Sequence, residues 1–274
     1  MLDLHSLALW RLATHARASL GAVSCALLLA ACAGPSERIS LIPAELDQQT
    51  SKDGLFTQKV VWTHTPADCK GECPKLVVDS LVFPGHRMLT ELVDHALATM
   101  TWLDQDAPVP YFTIAEYEPY FWKTAGPRDE TRLQARTRYR NRHITVIELD
   151  ASQYRTGMAH GISGTQFLNW DNETRKALAL DDVLAPRAHD AFDQALRQAH
   201  ARWLQDNPAA REDPQNYSRL WPFLATDNFA LTDLGVVVKY QSYQIAPYSS
   251  GHPELLIPYA ELRGILRPRY LPQG

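Results

Sequence analysis

The N-terminal segment constrains this chain more than any other feature. Residues 1–19 carry Arg11, Arg17 and two histidines against one acid, Asp3, and the apolar run 20–29 follows them. A charged segment before a short apolar run is typical of a secretory signal peptide. The run spans ten residues, about half of the ~20 that a membrane-spanning helix needs. We therefore expect this segment to be removed, so that only the rest of the chain folds.

The end of the apolar run resembles the lipobox of bacterial lipoproteins. It reads Leu-Ala-Ala-Cys and ends at Cys32. In such motifs the small residues admit the signal peptidase and the cysteine thiol receives a diacylglycerol group. We expect a mature chain that begins at Cys32 and is held by lipid at the periplasmic face of the outer membrane, because Ala33 rather than an aspartate follows the cysteine. A chance match inside a plain secretory signal is the alternative.

These features predict the organisation of the chain. Residues 1–31 form the signal peptide, residues 32–57 a tether rich in polar residues, glycine and proline, and folding begins near Gln58. The folded part comprises an N-terminal portion (58–156) and a C-terminal portion (157–266), followed by a tail (267–274). With 45% hydrophobic and 21% charged residues, the chain has the composition of a globular protein.

Four cysteines occur in the sequence, and two of them remain for the folded part. Cys25 lies in the signal peptide and Cys32 in the lipobox, which leaves Cys69 and Cys73 around a central Gly71. In an oxidising compartment a disulfide is the expected state. Half of a zinc site is the alternative, although a tetrahedral site needs four ligands. We expect the disulfide to stiffen a turn more than to stabilise the whole fold, because it closes a small loop.

Charge excludes one class of partner. Lys and Arg total 27 against 31 Asp and Glu, for a net charge of -4. Nucleic-acid binding depends on a basic surface that neutralises phosphates. We therefore expect no nucleic-acid partner.

Hydrophobic patterns predict both strands and helices. The predicted strands cover residues 59–64, 76–82, 134–142, 143–149, 165–170, 228–232, 236–240 and 254–259. The predicted helices cover residues 88–100 and 190–204, with a short one near Asp181 and Asp182 and a closing turn at 260–265. Strand clusters that each accompany a helix predict an α+β fold with mainly antiparallel sheets, each packed with a helix.

Four local features carry finer predictions. Residues 134–142 and 143–149 read as a hairpin of edge-type strands, and the residues up to Pro222 as a loop rich in proline and asparagine. Gly235 is predicted to adopt a left-handed conformation in a hairpin turn. For residues 111–122, a helix and an irregular loop both remain open.

Six segments of the second half resemble a known family. They are Gly157–Gly161, Thr165–Asp171, Leu178–Leu184, Asn228–Thr232, Tyr243–Gly251 and Pro253–Tyr259. Together they resemble the RsiV-like extracellular domain of anti-sigma-V factors, and the similarity extends over about residues 58–266. The same domain accompanies the catalytic domain of PdaC-type peptidoglycan deacetylases and occurs as stand-alone Gram-negative lipoproteins.

The resemblance implies a two-part α+β module and does not imply an enzyme. The anti-sigma members bind lysozyme through this domain, so a lysozyme-like partner is an expectation here. Control of a sigma factor is not expected, because the sequence shows no segment that resembles their transmembrane helix and sigma-binding region.

Few residues suggest catalysis. His160 lies three residues before Ser163, and an imidazole near a hydroxyl is the start of a nucleophile and base pair. The sequence around Ser163 lacks the last glycine of a nucleophile elbow. Metal binding by His160 with Asp171 or Asp181 has no recognisable ligand spacing to support it. We therefore predict no catalytic residues, no metal and no cofactor, and interpret His160 and Gly161 as residues that shape a turn.

Tyrosines near the C-terminus are the stronger candidates for binding. Tyr243, Tyr248 and Gly251 lie in a segment rich in proline, serine and glycine, between two predicted strands. Exposed tyrosines on such a loop stack on sugar rings or bind proteins, because tyrosine offers a rigid amphipathic surface. Packing of these rings in the core is the alternative that stays open.

The sequence thus predicts a non-enzymatic lipoprotein that binds a cell-wall-related protein or glycan. Tyr243, Tyr248, Gly251 and His160 are its candidate binding residues. A peptidoglycan-acting enzyme centred on His160 and a structural subunit of an envelope complex are the alternatives.

Overall fold

The structure is a computed structural model that describes residues 55–103 and 107–272. The predicted signal peptide, the lipidation site Cys32 and nearly all of the tether lie outside the described residues. Leu55 is described and is buried in the core, where Arg140 donates a hydrogen bond to its carbonyl oxygen over 2.8 Å. The hydrophobic core therefore includes Leu55, which lies three residues before Gln58, the predicted start of the folded part.

The first part of the described chain forms a six-stranded sheet with strands in sequence order. The strands are β1 (Gln58–His64), β2 (Lys75–Val82), β3 (Glu130–Arg140), β4 (Ile144–Tyr154), β5 (Ile162–Asp171) and β6 (Lys176–Leu178). Strands β2 and β3 pair in parallel and the other neighbours are antiparallel. A parallel pair needs a long crossover connection. Here two helices lie between β2 and β3 in the sequence and provide it.

Those helices are α1 (Arg87–Thr99) and α2 (Ile114–Thr124). Their apolar faces, with Leu89, Val93 and Phe121, join one hydrophobic cluster with residues of the six-stranded sheet. Of the segment 111–122, the residues from Ile114 onward are helical, so the helical alternative is correct for most of it. Thr113 caps α2, because its side chain accepts a hydrogen bond from the Glu116 amide over 3.1 Å.

A second, three-stranded sheet follows further along the chain. It contains β7 (Phe229–Leu231), β8 (Gly235–Lys239) and β9 (Glu254–Pro258), all antiparallel. Before it come the helices α3 (Leu180–Val183), α4 (His189–Asp206), α5 (Pro208–Glu212) and α6 (Pro214–Leu220). A second hydrophobic cluster joins α4 to this sheet and to side chains of β4 and β5, including Val146 and Phe167. The fold is α+β, as predicted.

Two local predictions were wrong. The 134–142 and 143–149 hairpin forms, as β3 and β4, but both are central strands of the six-stranded sheet rather than edge strands, since β2 and β5 flank them. The predicted loop before Pro222 contains α5 and α6. Both helices start with a proline at the first position, and Asn207 and Asp213 cap them by accepting amide hydrogen bonds over 3.2 Å.

Gly235 also has a different role from the predicted one. Its backbone is not in the left-handed region, and the residue begins strand β8. A Cβ atom at this position would lie 2.1 Å from the carbonyl oxygen of Ile257 in β9. Glycine is therefore required because the two backbones approach each other closely, not because a turn needs a positive φ.

The predicted boundary at residues 156 and 157 falls in the turn between β4 and β5. These two strands pair antiparallel from Ile144 opposite Asp171 to Gln153 opposite Ile162. The two predicted portions therefore share the six-stranded sheet. The tail also packs in its described part, since Tyr270 and Leu271 contact the second hydrophobic cluster.

The predicted disulfide between Cys69 and Cys73 is present in the connection from β1 to β2. Gly71 adopts a φ of +89° at its centre, in the region that favours glycine. Among the helices of the described residues, none has the length and apolar character needed to cross a membrane.

A buried carboxylate joins the two sheets. Glu148 of β4 has a fully buried side chain, and its two oxygens accept hydrogen bonds from Arg136 of β3 over 2.8 and 3.1 Å. Lys239 of β8, whose side chain is 7% exposed, donates to the same carboxylate. Burial alone would raise the pKa of Glu148, but the hydrogen bonds and charges of Arg136 and Lys239 outweigh it and lower the pKa to about 2.

Replacing Glu148 by glutamine should destabilise the protein by about 1.5–3 kcal/mol, because the buried ammonium of Lys239 loses its fully buried counter-charge and retains only the partly exposed Glu254 at 3.5 Å and Asp150 at 3.9 Å. Urea denaturation at pH 7 measures this difference. Glu212→Gln, on the exposed face of α5, is the matched control and should change stability by less than about 0.5 kcal/mol.

The same pair of proteins gives a pH test. A carboxylate whose folded-state pKa is depressed stabilises the protein above its unfolded pKa, and this contribution is lost as the pH falls through the folded value. The stability difference between wild type and Glu148→Gln should therefore shrink as the pH falls from 4.5 towards 2. A difference that stays constant over this range would contradict the assigned role of Glu148.

Candidate functional site

Four aromatic side chains from three separate segments form a row on the surface. Tyr243 and Tyr248 lie in the connection between β8 and β9, Trp221 directly follows α6, and His160 lies in the turn between β4 and β5. We call these four residues the aromatic ladder. The structure thus brings together three of the predicted binding residues and adds Trp221, which was not predicted.

The rings of the ladder follow one another at stacking distances. Ring centroids are 6.3 Å apart for Trp221 and Tyr243, 5.7 Å for Tyr243 and Tyr248, and 4.1 Å for Tyr248 and His160, with interplanar angles of 27° to 30°. The two longer separations are those of offset pairs, in which one ring covers only part of the next ring's face. Tyr243 is 54% exposed. The ladder therefore offers partly free aromatic faces to a ligand.

Hydrogen bonds hold the His160 end of the ladder. The Tyr248 hydroxyl donates to the carbonyl oxygen of Gly161 over 3.0 Å, and His160 Nδ1 lies 2.8 Å from the same oxygen. Since a carbonyl oxygen only accepts, Nδ1 donates in this contact. The Tyr243 hydroxyl lies 3.5 Å from Nε2. Both nitrogens of His160 thus face partners within the ladder and its turn.

The connection that carries the tyrosines is tightly folded. Ile245 and Ala246 are buried, and the Gln241 amide donates to the Gln244 side chain over 2.7 Å. Tyr243 has a φ of +70°, which is uncommon for a bulky residue. Gly251, the fourth predicted binding residue, is exposed with a φ of +64°, and a Cβ there would meet no atom within 4 Å. Gly251 therefore shapes the loop, and its backbone conformation is the reason for glycine.

His252, which lies directly after this glycine, was not among the predicted residues. Ser163 pairs with His252 rather than with His160, with 3.0 Å between Ser163 Oγ and His252 Nε2. His252 Nδ1 donates to the carbonyl oxygen of Tyr240 over 3.1 Å, and burial lowers the pKa of His252, so the neutral imidazole accepts the serine proton. Both residues are half-buried, and their hydrogen bond fastens the tyrosine-bearing connection to β5.

The residues of the alternative metal site, His160 with Asp171 or Asp181, do not come together in the structure. Asp171 is paired with Arg269 at 2.7 Å, and Asp181 lies 3.2 Å from His189, so both aspartates face partners other than His160. Within residues 55–103 and 107–272, no group of three or more histidine, cysteine or acidic residues is arranged to hold a metal ion.

A cleft of about 290 Å³ adjoins the His160 end of the ladder. Its lining residues are Arg128, Glu130, Ser152, Gln153, Tyr154 and Gly161. Gly161 therefore belongs both to the cleft and to the turn that holds Tyr248 and His160. Most of these residues have polar side chains, and there is one residue of each charge among them.

The exposure of the tyrosines predicts the outcome of two substitutions. Tyr243→Ala should change the free energy of unfolding by less than about 0.5 kcal/mol, because most of this side chain is already in water. Tyr240→Ala, at the position directly after β8, should destabilise the protein by about 3–5 kcal/mol, because Tyr240 is fully buried and its hydroxyl donates to the carbonyl oxygen of Leu224. Urea denaturation compares the two variants. An equal loss in the free energy of unfolding for both variants would mean that Tyr243 contributes to core packing.

Comparisons with known proteins give the chain a family. Residues 181–260 match the sequence profile described as a protein of unknown function, DUF3298. No curated protein matches the chain. Among solved structures, a DUF3298 family protein from Pseudomonas aeruginosa PAO1 is 36% identical, with a TM-score of 0.74 over 84% of this chain and 100% of that one.

A second solved structure is similar in fold. It is a DUF3298 family member from Bacteroides fragilis NCTC 9343, 22% identical, with a TM-score of 0.56 over 80% of this chain and 96% of that one. The Pseudomonas protein is similar in sequence over its whole length as well as in structure. The chain therefore belongs to the DUF3298 family.

Proposed function

We propose that this protein is a non-enzymatic binding module of the cell envelope, and that its aromatic ladder contacts a cell-wall glycan. The offset row of Trp221, Tyr243, Tyr248 and His160, in which Tyr243 and His160 are exposed and the other two rings half-buried, carries the proposal. A lipid on Cys32 attaches the protein to the outer membrane, on its periplasmic face.

The chemistry of the ladder suits a sugar chain. Aromatic rings supply apolar faces on which the C–H faces of sugar rings stack, and polar neighbours bind the hydroxyl groups. Ser249 and Ser250 next to Tyr248 are exposed and offer such groups. The net charge of -4 favours an uncharged polymer over a polyanion.

The contacts of His160 and Ser163 support a binding role rather than catalysis. The two ring nitrogens of His160 contact the Gly161 carbonyl oxygen and the Tyr243 hydroxyl. Ser163 is hydrogen-bonded to His252 instead, and this bond holds the tyrosine-bearing connection on β5. An enzyme centred on His160 needs a nucleophile within reach of that ring. Incubation of the purified protein with sacculi, followed by analysis of the released products, tests this rival function directly, and sustained turnover would contradict the proposal.

A cell-wall-related protein is the second candidate for the ligand. Tryptophan and tyrosine are enriched at protein interfaces, so the ladder also suits a protein partner. The resemblance to the RsiV-like extracellular domain supports a lysozyme-like protein, and the acidic net charge suits a basic partner. A structural role in an envelope complex is a further alternative, and pull-down from solubilised envelopes with and without lysozyme separates it from both.

Binding to N-acetylglucosamine oligosaccharides, measured by isothermal titration calorimetry, tests the glycan proposal. Tyr243→Ala and Trp221→Ala should each weaken binding by about 2 kcal/mol, the loss typical of aromatic hot spots, while the protein stays folded. Phe112→Ala is the matched control, because Phe112 is 58% exposed and lies outside the ladder. Binding of lysozyme that depends on the ladder, without binding of the oligosaccharide, would favour the protein ligand instead.

The anchor has its own test. Cys32→Ala should release the protein from the membrane fraction or stall it as the precursor, because the acyl chains of a mature lipoprotein supply the attachment. Fractionation and mass spectrometry of the N-terminal peptide measure this. Wild-type protein without an acylated peptide, together with unchanged membrane association of the variant, would contradict the lipid anchor.

A further inference from the structure

We infer that the cleft beside the ladder binds a peptide attached to the glycan, through one carboxylate and one ammonium group of that peptide. This inference rests on the proposed function, because it gives the ladder and the cleft a common ligand. The ligand class is a glycopeptide whose sugar stacks on the ladder and whose charged peptide groups enter the cleft.

Shared contacts place the cleft and the ladder next to each other. Gly161 lines the cleft, and its carbonyl oxygen lies within hydrogen-bond distance of the Tyr248 hydroxyl and of His160 Nδ1. The turn at Gly161 therefore fixes the last two rings of the ladder relative to the cleft. A ligand that stacks on Tyr248 and continues past His160 meets the cleft next.

The charged residues of the cleft have partners that a ligand can replace. Arg128 Nε lies 3.5 Å from a carboxylate oxygen of Glu72, and their side chains are 57% and 70% exposed. Glu130 pairs with Arg132 at 3.1 Å, with side chains 37% and 52% exposed. Exposed pairs of this kind contribute little to stability. Arg128 is therefore available for a carboxylate and Glu130 for an ammonium group.

The backbone that carries these side chains is held firmly. The Arg128 amide donates to Thr156 Oγ1 over 3.2 Å, while the Thr156 amide and hydroxyl donate to Asp129 Oδ1 over 2.6 and 2.8 Å. Asp129 itself is 4% exposed. The turn at Arg128 is thus fastened to the chain after β4. A fixed backbone with free side-chain groups lowers the ordering cost of binding.

The size and lining of the cleft select the ligand class. A volume of about 290 Å³ is near the lower end for ligand pockets, so it accepts a small group rather than a whole sugar chain. Ser152 and Tyr154 add hydroxyl groups to the lining. Residues of both charges favour a ligand with both charges, since a purely anionic ligand would be repelled by Glu130.

Calorimetric titration of the full chain with three probes tests the inference. The probes are an N-acetylglucosamine tetrasaccharide, the disaccharide-peptide released from digested sacculi, and the free peptide with the same sequence. The disaccharide-peptide should bind more tightly than the free peptide. Arg128→Gln and Glu130→Gln should each weaken its binding about tenfold, as expected for a lost hydrogen bond to a charged group, and leave the tetrasaccharide unaffected.

Matched controls separate local contacts from a general change of charge. Lys176→Gln and Glu212→Gln remove the same charges at exposed positions outside the cleft and should change no affinity. Tyr243→Ala should weaken the binding of both sugar-containing probes. Thermal unfolding of each variant verifies that it folds.

The possible results distinguish the inference from the proposed function. The inference would be overturned if the tetrasaccharide binds and the affinity for the disaccharide-peptide is unchanged in Arg128→Gln and Glu130→Gln. The ladder would then remain a glycan site. Binding of the free peptide that depends on Arg128, without binding of the tetrasaccharide, would support the cleft and overturn the glycan role of the ladder. Absence of binding for all three probes would overturn both.

Discussion

The carboxylate of Glu148 is the interaction on which the arrangement of the two sheets depends. It lies on β4 in the middle of the six-stranded sheet and binds Arg136 of β3 and Lys239 of β8, so one buried group connects both sheets. Lys239 also lies 3.5 Å from Glu254 of β9. A buried charge without its partner is strongly destabilising, so the pairing permits only a narrow range of positions of one sheet on the other.

Side-chain amides complete this junction and thereby position the ladder. Strand β6 pairs only with the end of β5, from Asn169 to Asp171. Along the rest of that edge, Asn228 and Gln241 bind backbone groups of β5 at Thr165 and Phe167, over 2.6 to 3.2 Å. Gln241 lies near the start of the connection that carries Tyr243 and Tyr248. Its hydrogen bonds to Thr165 therefore hold the two sheets together and also position the two tyrosines.

Part of the candidate site could be predicted from the sequence. The serine, glycine and proline around Tyr243 and Tyr248 indicate a connection between strands, and the structure confirms it. Tyr240 lies only three residues before Tyr243 in the sequence, yet it is fully buried. It directly follows β8 and packs in the second hydrophobic cluster. Trp221 and His252 carried no usable signal, since their contacts come from chain segments far away in the sequence.

The amino-acid sequence was enough to predict the α+β class, the strands and helices with strong hydrophobic periods, the disulfide loop and the connection that bears the tyrosines. Those features depend on local patterns of side chains. Three features became visible only in the folded chain: β3 and β4 are central strands, Gly235 allows two strands to approach, and His160 contacts Tyr248 rather than Ser163. These outcomes depend on which surfaces pack together, and no periodicity along the chain records the pairing of residues that are distant in sequence.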